Sequence, residues 1–510
     1  MGRILATIRR FGADERGIAL LLVTIMLPVL LGFALLTLDM SRASNLQNDL
    51  QKAADAFALA AAAELDGSPG AWARAERAME TLIDNTSRFS TAGQHTLVTT
   101  QQGGTARCNS SGDISWCFLK TIPASDGTPI TSANYANADP AIGQGESRFI
   151  EVTVTPTSFV TLFPASFLSG NVASNGMSIG TKATAGFTSS VCDYTPVFIC
   201  NPYEDSPGGV TLEMAANQRQ HRRKQLLMRG DDFYGPGNFS FLKAPDGNGA
   251  AAVENMLAST KPNACYSRDG VDTEPGQMTG PVKDGLNARF GLTPAYALSD
   301  GPSPNSRAGI KNVECQNGKI KKFDFETDPS LGTGLPRDGC FPNCTPLDSS
   351  HPTDAGMLGD GDWDFTNYWA RNHTVSGTPR AVPTEIAGTG TNLPTRYEVY
   401  RSEIAHNFQG DSGPAPNLDT GTPACGVPAF TAVDRRILYG AIVNCKALAA
   451  AGISMNGRQT DVPVIAFGSF FLTEPIKDGK DIYAELVDIT GKGGTGTLDN
   501  FLRDEAQLYR

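Results

Sequence analysis

The sequence predicts an α+β protein. A long N-terminal helix, transmembrane in its first part and amphipathic in its second, packs on a small sheet, and a loop-rich α+β exported region stapled by disulfides follows. Three observations predict this fold class. Residues 18–38 form an uncharged apolar run, residues 41–65 contain no Gly or Pro, and residues 148–163 begin with alternating apolar side chains. The first two patterns are typical of one continuous helix, and the third is typical of a strand.

The apolar run is long enough to cross a membrane. It contains about 21 residues, and at about 1.5 Å of rise per residue this length matches a hydrocarbon core of about 30 Å. A cleaved secretory signal, the alternative, has a shorter apolar region of about 7–15 residues. We therefore expect an uncleaved transmembrane helix at 18–38, which tolerates Pro28 as a kink.

The charges before the run predict its orientation. Basic residues beside a span stay on the cytoplasmic side of the membrane. We expect residues 1–17 to be a cytoplasmic basic tip and residues 39–510 to be periplasmic or extracellular, so that the chain crosses the inner (cytoplasmic) membrane once. The basic residues of the tip are Arg3, Arg9, Arg10 and Arg16.

Beyond the span, the helix carries an apolar stripe at helical spacing. Small residues on such a stripe allow two helices to approach closely. The sequence therefore suggests a face that docks on a partner helix, although packing on the chain's own sheet explains the same pattern. The candidate docking residues are Leu46, Leu50, Ala54, Phe57 and Ala61.

Two regions are predicted outside the membrane. Residues 39–190 combine the helix with strands at 148–163 and 177–187, and residues 191–510 form a loop-rich domain rich in Gly and Pro turns. Within the second region, the patterns predict a helix at Phe430–Ala450 and one or two buried strands at 461–475.

The cysteines indicate an exported body. All ten follow the apolar run, their number is even, and the chain has no C-x-x-C pair of the kind that binds zinc. Proximity in sequence suggests a set of pairs, and many other connectivities stay open. The suggested pairs are Cys108–Cys117, Cys192–Cys200, Cys340–Cys344 and Cys425–Cys445, which leaves Cys265 and Cys315.

The net charge of the chain argues against a nucleic-acid partner. The chain has 53 acidic and 42 basic residues, for a formal net charge of -11. A general nucleic-acid binder needs a basic surface, so no nucleic-acid partner is expected. A local cluster of basic residues could bind anionic envelope material, or it could be an ordinary exposed face of a helix or strand. The cluster comprises Arg219, His221, Arg222, Arg223, Lys224 and Arg229.

An acidic loop is the one candidate metal site. Asp360, Asp362 and Asp364 stand at alternate positions, as in calcium-binding loops. Phe365 and Arg371 occupy positions where an EF-hand requires Gly and Glu, so an EF-hand is rejected. A weak calcium site of another type, with Asp354, and a solvated acidic turn both stay open, and no other cofactor is expected.

One short motif resembles a catalytic motif. GDSGP at 410–414 resembles the nucleophile loop of chymotrypsin-like proteases, but no histidine of this chain lies in the sequence context that such a catalytic base requires. Gly, Asp, Ser and Pro also form ordinary surface turns. We therefore do not expect Ser412 to be a nucleophile, and catalytic residues are not predicted.

The N-terminal block resembles TadG-like proteins of Flp (tight adherence) pilus-assembly systems. The resemblance is carried by Gly17–Ala19, by Leu27–Gly32 within the span, by Asp39 after it, and by the alanine-rich stretch Leu50–Ala60. It implies a pilin-like helix packed on a sheet, a place in the cell envelope, and pilus-assembly or secretion proteins as partners.

Two departures from related families sharpen this expectation. Prepilins are cleaved after a Gly and carry an acidic residue at the fifth mature position, where this chain has Leu22 after Gly17. The sequence also lacks the D-x-S-x-S motif of the adhesion domain found in many TadG proteins. The resemblance therefore implies a permanently anchored accessory protein rather than a processed pilin or a metal-dependent adhesin.

Two functions are compared on this basis. The first is a non-enzymatic structural or assembly protein, anchored in the membrane and acting in Flp/Tad-type pilus or surface-appendage assembly. The alternative is a membrane-anchored exported hydrolase or binding module with its site in 191–510. Gathering of His373, Asp360, Asp362 and Glu398 in one pocket would favour the alternative, whereas scattered positions would favour the first function.

Overall fold

The computed structural model describes residues 15–509 with short gaps. The gaps are 83–85, 91–92, 98, 126, 165, 167–169, 171–175, 205–208, 230–237, 246–248, 269, 277, 294–299, 329, 342–357, 412–418, 454, 456, 478–480 and 492. Asp354, Cys344 and Ser412 lie outside the described residues.

Helices and strands alternate along the chain. The helices are α1 (Glu15–Ala62), α2 (Ala71–Glu80), α3 (Pro140–Glu146), α4 (Leu212–Asn217), α5 (Arg219–Arg222), α6 (Ala250–Ala258), α7 (Thr279–Ala288), α8 (Phe365–Asn372), α9 (Arg396–Ala405) and α10 (Cys445–Ala450).

The strands are mostly short. They are β1 (Thr86–Ser90), β2 (Gly93–Thr96), β3 (Cys108–Ser111), β4 (Ile114–Leu119), β5 (Phe149–Val160), β6 (Gly176–Cys192), β7 (Val197–Cys200), β8 (Gln225–Arg229), β9 (Asn238–Leu242), β10 (Cys265–Ser267), β11 (Thr273–Pro275), β12 (Ile310–Gln316), β13 (Lys319–Phe325), β14 (Thr374–Val375), β15 (Thr378–Pro379), β16 (Ile437–Val443), β17 (Ala466–Leu472), β18 (Ile482–Ile489) and β19 (Leu502–Leu508). The predicted α+β class is confirmed, including the long N-terminal helix and the disulfides in the rest of the chain.

The described chain forms two compact units. The first contains the residues up to Thr188 and those from Asp504 onward, and the second contains Ser189–Arg503. The sequence predicts the boundary between the two regions at 190/191. It does not predict that the last residues of the chain return to the first unit, where β19 pairs with β6.

In the first unit, the second half of α1 packs on an antiparallel sheet. Strands β3, β4, β5 and β6 are neighbours in that order, and β5 and β6 form a long hairpin with Phe149 opposite Gly186 and Val160 opposite Gly176. Trp72 of α2 completes the core because its ring stacks on Phe118 at 5.1 Å and its indole N–H donates to Ser147.

The second unit is built on a seven-stranded sheet. Its strand order is β11-β9-β7-β16-β17-β18-β8, and the only parallel neighbours in that order are β7 and β16. Along β16, Leu438 and Ile442 face one apolar cluster, whereas Tyr439 and Ala441 face another. The sheet is therefore covered on both faces.

This burial explains why the predicted helix at Phe430–Ala450 is wrong. The segment contains β16, in which every residue is buried, followed by the short helix α10. A strand covered on both faces is apolar at every position, so its sequence has no alternation that distinguishes it from a buried helix. At 461–475 the structure has one strand, β17.

The disulfides correct two of the four suggested pairs. Cys108–Cys117 forms as suggested, because these residues are directly opposite on β3 and β4. Cys192–Cys200 and Cys425–Cys445 are wrong. The structure has Cys192–Cys265, Cys200–Cys445 and Cys315–Cys425, so each of the two cysteines left over pairs with one of these four. Strand neighbours decide the pairing, since Cys192 lies opposite Cys265 and Cys200 lies beside Val443 in the sheet. Cys340 is also disulfide-bonded.

Candidate membrane-contacting site

The first half of α1 is an exposed apolar surface. Twelve large apolar side chains between Leu22 and Met40 are from 38% to 66% exposed, and soluble proteins rarely leave a contiguous apolar patch of this kind in water. Among the described residues, α1 is the one helix that is long and apolar enough to cross a membrane. A single N-terminal apolar helix of this kind fits a single-pass membrane anchor.

The second half of the same helix is buried in the first unit. The five candidate docking residues are at most 1% exposed and belong to one cluster with side chains of β4, β5 and β6. The predicted docking face is thereby corrected to an internal core face, because the unit's own sheet already covers it. These residues are Leu46, Leu50, Ala54, Phe57 and Ala61.

The opposite face of this half is polar and exposed. Ser41, Asn45, Asn48 and Lys52 are exposed and recur every three or four residues, so they lie along one side of the helix. This side, which we call the outer face of α1, is not covered by the described part of the chain.

Asp39 marks the transition between the two halves. It is only 2% exposed, and its two carboxylate oxygens accept the backbone N–H groups of Leu162 and Phe163 at 2.9 and 2.7 Å. Arg42 pairs with the same carboxylate at 3.3 Å and donates to the carbonyl of Val160. Asp39 and Arg42 therefore fasten the end of the β5–β6 hairpin to α1.

An apolar groove lies directly beside this attachment. It measures about 630 Å³ and is lined by α1 side chains from Pro28 to Leu36 together with Phe163 and Pro164. Gly32 allows the close approach, since a Cβ at this position would come 3.4 Å from a ring carbon of Phe163. Phe163 is not among the residues that the sequence singles out. The available signal was the apolar run of residues 159–164 at the end of a strand.

The three aspartates of the candidate calcium loop do not converge. Asp360 accepts backbone N–H groups of Cys340 and Asp362, and Asp364 caps the start of α8 by accepting from Asn367. The described residues contain no group of three or more His, Cys, Asp or Glu arranged to hold a metal ion. These side chains order a turn and a helix end in this structure.

The residues proposed for a hydrolase site are also scattered. Glu398 pairs with Arg219 and Arg222, Asp360 lies in the turn described above, and His373 contacts other carboxylates. The pocket constellation that would favour the hydrolase is therefore not formed by these four residues. The pairs with Glu398 also engage two members of the basic cluster.

His373 lies in a buried charged network of the second unit. Its Nε2 is 2.8 Å from Glu403 and its Nδ1 is 3.0 Å from Asp411, and neither His373 nor Glu403 is more than 1% exposed. Burial by itself would raise the pKa of Glu403, but the Arg307 guanidinium and the hydrogen bonds from His373 and Tyr368 lower it. Asp411 likewise has a lowered pKa, since Arg380 and His373 outweigh the effect of burial. The network joins α8 to α9, with His373 and Glu403 buried and with Asp411 and Arg380 at its partly exposed edge.

The segment that contains the candidate membrane-contacting site is similar to a known family. Residues 17–64 match the family model described as "Putative Flp pilus-assembly TadE/G-like", and this range contains almost all of α1, including Asp39 and the outer face. Comparisons with curated proteins and with solved structures gave no match. The match confirms the resemblance found in the sequence and supports a role in Flp pilus assembly: residues 17–64 of this chain are similar to the TadE/G-like pilus-assembly family.

Proposed function

We propose that the chain is a membrane-anchored, non-enzymatic structural protein of Flp/Tad-type pilus or surface-appendage assembly. The N-terminus is cytoplasmic, α1 crosses the inner membrane once, and both units lie on the periplasmic or extracellular side. The match at residues 17–64 and the arginines before the span support this proposal.

One observation carries the proposal. A single helix, Glu15–Ala62, is exposed and apolar in its first half and is the central core element of the first unit in its second half. A continuous helix shared in this way links the folded unit directly to the membrane. The function that such a coupling supports is tethering, in which the anchor holds the exported units next to other envelope proteins.

We place the contact with assembly partners on the outer face of α1. Its side chains Ser41, Asn45, Asn48 and Lys52 are exposed, and they continue directly from the span that partners would share. The partners are other pilus-assembly or secretion proteins of the envelope.

Site-specific photocrosslinking in cells tests this placement. A photoreactive residue at Asn48 should capture a pilus-assembly or secretion component, whereas one at Ala54, which is fully buried, should capture none. Capture of no such component from Asn48, Asn45 or Lys52 would contradict the proposed function. Extraction with carbonate tests the anchor separately, since a transmembrane protein stays in the membrane pellet.

A further inference from the structure

The end of the β5–β6 hairpin presents apolar side chains beside the anchor. Val160 is 59% exposed and Leu162 is 51% exposed, and the next residues, Phe163 and Pro164, line the groove on α1. We call residues 160–164 the hairpin tip. Its exposed apolar surface is continuous with that of the first half of α1.

The position of the tip along α1 gives the depth of the tip in the membrane. Phe163 lies against Gly32, which precedes Asp39 by seven residues, or about 10 Å along a helix that rises about 1.5 Å per residue. With the span ending at Leu38, the Phe163 ring is level with the outer part of the hydrocarbon region. The tip is therefore beside the membrane-embedded part of α1 rather than above it.

Four backbone groups of the tip have partners within the protein, as a non-aqueous environment requires. Irregular backbone is tolerated at membrane depth only where its polar groups find partners in the protein. Asp39 accepts from two successive amides of the tip, Arg42 donates to the carbonyl of Val160, and the Thr161 hydroxyl donates to the carbonyl of Phe163. In water these backbone groups could bond to solvent and would not need partners in the protein. Hydrogen bonds within the protein are needed where solvent is absent, as in lipid.

We propose that the hairpin tip is a second membrane-inserted element, embedded in the outer leaflet beside α1 and covered by lipid acyl chains. This inference rests on the proposed transmembrane anchor. Asp39 acts as a positioning residue whose carboxylate accepts from the tip's amides, and Arg42, one turn further along α1, pairs with that carboxylate and donates to the carbonyl of Val160. The acyl chains also fill the apolar groove.

Lipid is favoured over a partner protein as the occupant of the groove, because the apolar surface of the tip is continuous with that of the span. The exposed apolar residues of the tip extend the surface that the proposed span already presents to the bilayer, and the polar outer face of α1 begins only at Ser41. A helix from a second copy in the groove is the competing occupant, and the experiment below distinguishes it.

Tryptophan quenching measures the lipid contact directly. The full chain is reconstituted into phosphatidylcholine vesicles in which part of the lipid carries bromine on its acyl chains. The substitution Leu162→Trp adds a reporter at the tip, and Ile142→Trp adds one at a control position on α3 that is equally exposed, at 49%. The native tryptophans are buried, at most 3% exposed, and the unmodified chain provides their background.

We expect brominated lipid to quench the added fluorescence of Leu162→Trp and to leave that of Ile142→Trp unchanged. Adding Asp39→Asn removes one of the two acceptor oxygens and should reduce the quenching at Leu162→Trp while the chain stays in the vesicles. Retention of the full quenching in this double variant would overturn the role of Asp39.

The remaining outcomes separate this inference from the proposed function. If the chain sediments with the vesicles but Leu162→Trp is not quenched by brominated lipid, the inserted tip is refuted and the anchor stands. In that case, quenching by aqueous acrylamide indicates a tip in water, and its absence indicates a second copy over the groove. If the chain does not associate with vesicles at all, the anchor itself fails.

Discussion

Phe57 provides the sharpest test of what the second half of α1 packs against. The sequence left open whether this residue docks on a partner or packs on the chain's own sheet, and the structure buries it to 1% exposure among side chains of the sheet. Truncating a fully buried Phe to Ala costs about 3–5 kcal/mol. Since whole domains are stable by only about 5–15 kcal/mol, Phe57→Ala should remove a large part of the stability of the first unit.

Hydrogen–deuterium exchange of the full chain reports this loss locally. The amides of β4 and β5 are central in the sheet and exchange through the larger unfolding events. A loss of about 3 kcal/mol corresponds to at least about a hundredfold faster exchange, because about 1.4 kcal/mol is a factor of ten. The control Ile142→Ala, at a position that is half exposed, should change exchange by only a small factor, within about 0.5 kcal/mol.

One result would refute the core interpretation of this residue. If Phe57→Ala left the exchange of β4 and β5 as in the control but abolished crosslinking to an assembly partner, the side chain would be a docking residue. The first unit would then have to be stable without the packing that the structure shows.

Three further outcomes concern the second unit and the disulfides. Glu403→Gln leaves a buried guanidinium without its carboxylate and should cost about 3–5 kcal/mol, measured by denaturant unfolding, whereas Arg401→Gln, in an exposed pair, should cost at most about 1 kcal/mol. The pKa values of Glu403 and Asp411 are lowered in the folded unit. The two carboxylates therefore stabilise the unit fully above the ordinary Glu pKa of 4.5, and this stabilisation is lost as the pH falls below that value. A thermal midpoint that does not fall on acidification would contradict this. Cys445→Ser opens a disulfide that spans 245 residues and should cost about 5 kcal/mol, and Cys117→Ser, across 9 residues, about 3 kcal/mol; equal losses in the two variants would count against the loop-length argument.

Local patterns predicted much of the first unit. The absence of Gly and Pro after the span indicates a continuous helix, and the structure has one from Glu15 to Ala62. The alternation that begins at Ile150 predicts a strand, and β5 is found at Phe149–Val160. Both patterns arise from neighbours within one element, so they are readable without knowing what the element packs against.

Other features depend on residues far apart in sequence. Cys200 and Cys445 meet because β7 and β16 are parallel neighbours, and His373 meets Glu403 and Asp411 because α8 and α9 pack together. No spacing within the sequence encodes these contacts. The same limit applies to Leu162 and Phe163, which reach Asp39 from more than 120 residues away.

By itself, the sequence determined the apolar run, the length of α1 and the match to pilus-assembly proteins, because each is a property of consecutive residues. Only the tertiary structure decided which face of α1 is core and which is free, which cysteines pair, and what Asp39 does. The physical reason is that an apolar stripe predicts only that a face is buried. What covers that face, whether sheet, lipid or another protein, depends on how the chain folds back.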